Sequence, residues 1–291
     1  MMFIKMDYML FNRLKKPLSA FSLIELSIVL IIIGLIIVGV LNGQKMISLA
    51  RLTSARTLTN SSPVNDIENL LLWLETTSKS SINANQRVDG KTVTIWYDIN
   101  PQHIPKYDFT ASQSPTYDEN AINHLPALAL SPNDRFESSV SIFNPATDDF
   151  TIFAVAHFDG TNHEPLISIA NGNTDTLIGY HFSNKFISSG NFNGSAITGP
   201  LVDTSEAEIY RITHDTDNTK LIFSINGGTE TQKTGTPTNG TDVWRIGADN
   251  NLAIYFSGSI GEIIVFNRIL SPFEIDQIEE YLSKKWKIDL D

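Results

Sequence analysis

The sequence predicts a two-part protein: an N-terminal transmembrane α-helix, then an all-β head built as an antiparallel two-sheet sandwich with a short C-terminal helix. Three observations carry this. Residues 21–41 are apolar except for Ser22, Glu25 and Ser27. From residue 64 onward the chain turns to Thr, Ser, Asn, Gly and aromatics, in short apolar or alternating runs separated by turn signals. Near the end, Ser271-Pro272-Phe273-Glu274 reads as an N-cap, a first-turn proline and a capping-box glutamate.

The N-terminal elements come first. A helix rises about 1.5 Å per residue, so the run at 21–41 is long enough for a hydrocarbon core of about 30 Å. Arg13, Lys15 and Lys16 precede it, so the positive-inside rule predicts a single inner-membrane pass with a cytoplasmic N-terminus. Everything after about residue 45 is then periplasmic or extracellular. Small residues, Ser19 and Ala20, stand before the apolar run, whereas a secretory signal has its cleavage site after a shorter one. Glu25 is a lone carboxylate in an apolar helix, which makes it a functional candidate. A carboxylate paired with an ammonium in a low-dielectric surrounding would favour one register between subunits. Ile47, Leu49, Leu52, Ala55 and Leu58 continue the helical spacing, so the helix is expected over 21–60. Ser61, Ser62 and Pro63 break it and mark a linker at 61–67.

The head is expected over 68–291. Candidate strands lie at 70–74, 92–97, 127–130, 150–158, 165–169, 176–181, 208–214, 220–225, 243–246 and 258–266. Asp159-Gly160, Asn171-Gly172 and Asn226-Gly227 supply turns. Many short strands with no helix between them point to an antiparallel sandwich. The 291-residue chain carries a formal net charge of −11 and no cysteine. An acidic head predicts no nucleic-acid partner, because such partners need basic patches. Without disulfides, an exported head depends on its core.

Candidate sites in the head are sparse. His214, Asp215, Asp217 and Asn218 form a polar hairpin tip, and Asp215 and Asp217 are candidate Ca²⁺ ligands, though EF-hand spacing is absent and a plain solvated turn fits equally. His157, Asp159, His163 and Glu164 lie at a strand end and turn, where such residues are ordinary. Trp96, Tyr97, Trp244, Tyr255 and Trp286 are candidates for stacking on sugar rings or for filling the core. No phosphate-binding glycine loop or nucleophile elbow is present.

Two resemblances follow from these residues. KKPLSA followed by FSLIEL resembles the prepilin signal of type IV pilins and type II secretion pseudopilins. The resemblance implies that a prepilin peptidase cuts between Ala20 and Phe21, that the Phe21 amine is methylated, and that Glu25 pairs with the N-terminal amine of a neighbouring pilin subunit during filament assembly. Ala20 stands where the family usually has Gly. Asn42 and Gly43 stand where many major pilins carry Pro, and the C-terminal disulfide loop of many pilins is absent.

The order LLLWLETT, TIWYDIN, FTIFAVAHF, LIFSINGG and GSIGEIIVFNRILSPFEIDQIEEYLSKKW resembles concanavalin A-like, laminin-G-like domains, which implies a jelly roll that binds a glycan or protein ligand, in some relatives with Ca²⁺. Glu274, Asp276 and Glu279 also resemble the E-x-D-x-x-E signature of jelly-roll glucanases. Those acids alternate along a strand. Here the helical spacing sets Glu274 and Asp276 about 200° apart around an axis, so no catalysis is expected from them. The combined expectation is a minor pilin or pseudopilin-like subunit displaying a lectin-like head for adhesion or recognition. Its alternative is a membrane-anchored secreted protein that binds or hydrolyses glycans.

Overall fold

A computed structural model describes residues 22–160, 163–171, 174–182, 184–189, 199–235, 243–249 and 251–291. The chain divides into two compact units, Met1–Ile47 and Ser48–Asp291.

Helix α1 (Leu23–Asn60) opens with its own capping box: Ser22 N donates to Glu25 Oε2 at 2.8 Å, and Glu25 N donates to Ser22 Oγ at 3.2 Å. The expected transmembrane helix is corrected here. Among the described residues no helix is long and apolar enough to cross a membrane. The reason lies in spacing. The unbroken apolar run, 28–41, is fourteen residues, about 21 Å of helix against a core of about 30 Å. Ser22, Glu25 and Ser27 precede it. Beyond Gly43 the same helix carries Gln44, Lys45, Arg51 and Arg56. Residues 1–21 lie outside the described residues.

The second unit begins within α1. Ala55 and Thr59 are buried, and Arg56 Nε donates to the Thr77 carbonyl at 2.7 Å. At 61–67 the chain makes a 3₁₀ turn (Pro63–Asn65) capped by Ser62, whose Oγ accepts from Val64 N. Val64 and Ile67 point into the core.

Sixteen strands follow: β1 (Leu70–Glu75), β2 (Lys91–Thr92), β3 (Ile95–Trp96), β4 (Phe109–Ser112), β5 (Thr116–Ile122), β6 (Leu125–Leu130), β7 (Arg135–Ser138), β8 (Phe150–Phe158), β9 (Glu164–Asn171), β10 (Thr174–Phe182), β11 (Lys185–Ser189), β12 (Glu208–Asp215), β13 (Lys220–Ile225), β14 (Thr231–Thr234), β15 (Trp244–Ile246) and β16 (Gly258–Phe266). They form two antiparallel sheets. The larger runs β14-β13-β12-β8-β16-β6-β5-β2, with β1 also paired to β16; the smaller runs β11-β10-β9-β15-β7-β4-β3. Helix α2 (Pro272–Trp286) closes the chain, capped by Ser271 and Glu274 as the sequence predicts.

The run expected as one strand at 92–97 is two. Residue Val93 is fully buried between β2 in the larger sheet and β3 in the smaller, so the chain crosses sheets there. β4, β5, β7, β11 and β14 escaped the sequence reading because they are short or polar: Thr116–Ile122 is TYDENAI, without sustained alternation.

There are two cores. Between the sheets pack Trp96, Phe136, Phe150, Phe158, Phe223 and Trp244. On the outer face of the larger sheet, Trp73, Phe153 and Ile264 pack against Ile278, Tyr281 and Trp286 of α2. β8 and β16 are therefore buried on both faces, which explains why FTIFAVAHF and GSIGEIIVF read as nearly continuous apolar runs. A shift in pairing between Ile260 and Glu262 puts Gly261 under α2. A Cβ there would meet the Trp286 ring at 2.5 Å.

Charge is buried in this second core. Glu262 Oε1 accepts from Trp73 Nε1 and the Tyr281 hydroxyl, and its Oε2 from Lys285 Nζ and Trp286 Nε1, each at 2.8 Å. Lys285 Nζ also donates to Glu75 Oε2 at 2.9 Å. Glu75 further accepts from Thr77 N, Thr77 Oγ1 and Ser78 N. All three charged side chains are sealed from solvent. Burial pushes the Lys285 pKa down, but the two carboxylates outweigh it and hold it above its usual value. We predict that Lys285→Met, which leaves two buried carboxylates without a cation, destabilises the protein by about 3–5 kcal/mol. Urea denaturation would measure this, and a change below about 1 kcal/mol would show that the network does not fix the fold.

Candidate functional site

A cleft of about 570 Å³ opens beside the end of α1. Three segments build it. Thr59, Asn60 and Ser61 come from the last turn of α1, Asn65 and Asp66 from the 3₁₀ turn, and Ser78, Ser80 and Lys106 from loops after β1 and β3. Local hydrogen bonds hold these segments in place. Gln102 Nε2 donates to the carbonyls of Asn65 and Ile67, and Asn100 Nδ2 to that of Leu70. Ser80 N donates to Ser78 Oγ at 3.1 Å.

Asp98 sits in the wall. Its Oδ1 accepts from Trp73 N at 3.0 Å and Asn100 N at 2.9 Å, its Oδ2 from Tyr107 N at 3.2 Å. Burial raises its pKa, and the three backbone donors oppose that shift. Three of about four acceptor sites are thus used by the backbone, so Asp98 shapes the cleft. Asp66 is the lining carboxylate that remains without a side-chain partner. Hydroxyls, amides, two carboxylates and one ammonium suit hydrogen bonding to a polar ligand.

The residues singled out in the sequence do not converge on this cleft. Ala20 and Phe21 lie outside the described residues. Glu25 is exposed, bonded to Ser22. Glu274 and Glu279 lie on α2, not on a strand. Arg268 binds Glu274 through two nitrogens and, with the cap, holds its pKa down to about 2. Arg211 binds Glu279 at 3.0 Å.

Asp215 closes the β12–β13 turn. Asn218 donates its side chain to one Asp215 oxygen and its backbone N–H to the other, which lowers the Asp215 pKa. The His157, Asp159, His163 and Glu164 group is split: His157 lies 3.7 Å from Asp159, His163 bonds Tyr180, and Glu164 bonds buried His181. Among the described residues no three His, Asp or Glu side chains gather as metal ligands. Trp96, Trp244 and Trp286 are fully buried and serve the core, so they form no stacking platform. The cleft itself was missed because Thr59-Asn60 reads as the end of a helix and Ser61-Ser62-Pro63 as a linker. Its only signal is that this polar run is not glycine-rich.

No family model matches this chain, and no curated protein matches it in sequence. Similar solved structures include a sialidase of Trypanosoma rangeli bound to sialic acid, at TM-score 0.47 and 14% identity, covering 75% of this chain and 33% of that one. They also include domain 4 of AbnA, an extracellular arabinanase of Geobacillus stearothermophilus, at 0.45 and 14%, covering 73% and 98%. A third is the binding domain of botulinum neurotoxin serotype D/C, at 0.49 and 17%, covering 75% and 53%. This chain thus spans about a third of the sialidase and about half of the toxin domain. Each score is below 0.5, so these likenesses bear on neither ligand nor activity. What the coordinates define is an antiparallel two-sheet β-sandwich carrying a helix at each end.

Among the described residues, a carboxyl that titrates near neutrality lies away from the cleft, on β12. Glu208 accepts from Tyr210 Oη at 2.8 Å and Asp203 N at 3.1 Å, and burial pushes its pKa up to about 7. The folded state therefore keeps a proton that the unfolded chain loses near its ordinary value of 4.5. Stability falls as pH rises from there to about 7. We predict that Glu208→Gln flattens this loss and raises the Tm at pH 8 by about 2–4 °C. A parallel pH–Tm profile for wild type and variant would refute it.

Proposed function

We propose that this chain is a pilin-like subunit that assembles through α1, and that its β-sandwich is a glycan-binding head rather than an enzyme. The observation that carries the assembly reading is the uncovered apolar surface of α1. Leu23, Leu30 and Leu35 are 87%, 61% and 69% exposed. Burying a leucine side chain is worth about 1.5–3 kcal/mol, so such a helix gains by packing against others of its kind. The proposed occupant is α1 of neighbouring subunits; this rests on helix packing and not on a membrane span. A prepilin-type peptidase would free the Phe21 amine, and exposed Glu25 would pair with that amine of a neighbour. The cleft supports the head's role: its volume lies within the range of about 300–1,000 Å³ usual for ligand sites, and its lining is mostly hydroxyl and amide.

Two expectations test this. Glu25→Ala should lower the filament-bound fraction about tenfold while leaving the Tm of the head unchanged, and incorporated wild-type subunits should begin at Phe21 by mass analysis. Normal incorporation of the variant, or an intact N-terminus, would end the assembly reading. On a glycan array the head should retain neutral oligosaccharides without cleaving them, and Asn60→Ala with Lys106→Ala should weaken retention about tenfold. Turnover, or retention indifferent to both changes, would move the ligand site elsewhere.

A further inference from the structure

A second hollow, about 420 Å³, lies where the last turns of α1, the β5–β6 turn and the end of α2 meet. Arg51, His124, Lys284 and Lys287 line it, and no carboxylate does. On a chain of net charge −11 that is a local reversal of sign. Lys285, also at this place, is neutralised inward by Glu75 and Glu262. Lys284 pairs with Glu280, but both are more than half exposed, and such pairs are weak and exchangeable. Arg51 and Lys287 have no ion-pair partner among the described residues.

Two features shape the hollow. The C-terminal carbonyls of a helix carry partial negative charge. Here Asn123 Nδ2 covers two of them, donating to Trp286 O at 2.9 Å and Lys287 O at 3.1 Å. That leaves Asn123 Oδ1 as a free acceptor. His124 then follows at φ 65°, after Asn123 at φ 46°. Two left-handed residues make a tight hairpin turn that favours Asn-Gly, so histidine occupies a place where glycine would be less strained.

The rest of the lining limits the ligand. Leu58 and Leu125 give an apolar wall, and Ser54 adds a hydroxyl. A bare phosphate would use the cations and leave the wall idle. A carboxylated sugar uses both: its carboxylate meets the cations, its hydroxyls meet Ser54 and Asn123, and its C–H face lies on the leucines. We infer that this hollow is a binding site for an acidic saccharide of the uronic-acid class, separate from the polar cleft.

The test titrates the full-length chain, in mild detergent at low salt, with glucuronate, glucose and inorganic phosphate. Glucuronate should saturate a single site, and glucose should not at the same concentrations. Arg51→Gln and Lys287→Gln should each weaken glucuronate about tenfold. His124→Gly should weaken it too while keeping or raising the Tm, which separates loss of binding from loss of folding. Asn60→Ala and Lys106→Ala, in the other cleft, should leave it unchanged. Failure of glucuronate to saturate, indifference to the Arg51, His124 and Lys287 changes, or equal binding of phosphate would overturn the inference.

Discussion

One ammonium between two carboxylates organises the second unit. Lys285 comes from α2, Glu262 from β16 and Glu75 from β1, so three elements distant in sequence meet at one nitrogen. A buried ion of either sign is costly alone, and here each is satisfied only when the others are in place. Trp73 and Trp286 add their indole N–H groups to the same Glu262 carboxylate. These bonds decide on which face of the larger sheet α2 lies. Because α2 lies there, the last turns of α1 find an apolar partner, and both hollows beside α1 acquire their walls.

How much of this could be read from the sequence differs by element. β8 and β16 were legible because apolar side chains dominate strands buried on both faces. α2 was legible from its cap. β5 and β7 were not, since their pairing comes from neighbours and not from their own alternation. The break of 92–97 into β2 and β3 was invisible because Val93 looks like any strand residue. The apolar N-terminal run was over-read: hydropathy marks a helix that avoids water, but membrane and neighbouring helices satisfy that demand alike. Of the polar cleft almost nothing was legible, because serine and asparagine signal turns as readily as ligands. Lys285 follows Ile278, Tyr281 and Leu282 at helical spacing and so falls on the buried side of α2 with Trp286, but nothing in the sequence shows that Glu75 and Glu262 meet it there.

The acidic surface has its own logic. Several carboxylates inside the structure are engaged by arginine, lysine or backbone donors, as at Glu279, Glu75 and Asp98. Those outside keep the head soluble and repel other polyanions. Against that background Arg51 and Lys287 stand apart, since neither has an ion-pair partner among the described residues.

Joining the first and last strands has a mechanical consequence. The chain enters the sandwich through the final turns of α1, passes into β1, and returns at its end through β16 and α2. Thr77 is tied to Arg56, and β1 lies along β16 near the middle of the larger sheet. Tension arriving along the final turns of α1 would therefore act on a central seam clamped by its own C-terminus. The strand partner of β1 is β16, and the buried contacts of Lys285 with Glu75 and Glu262 would have to part along with that pairing. A sandwich fastened this way couples pulling on α1 to the last helix of the chain.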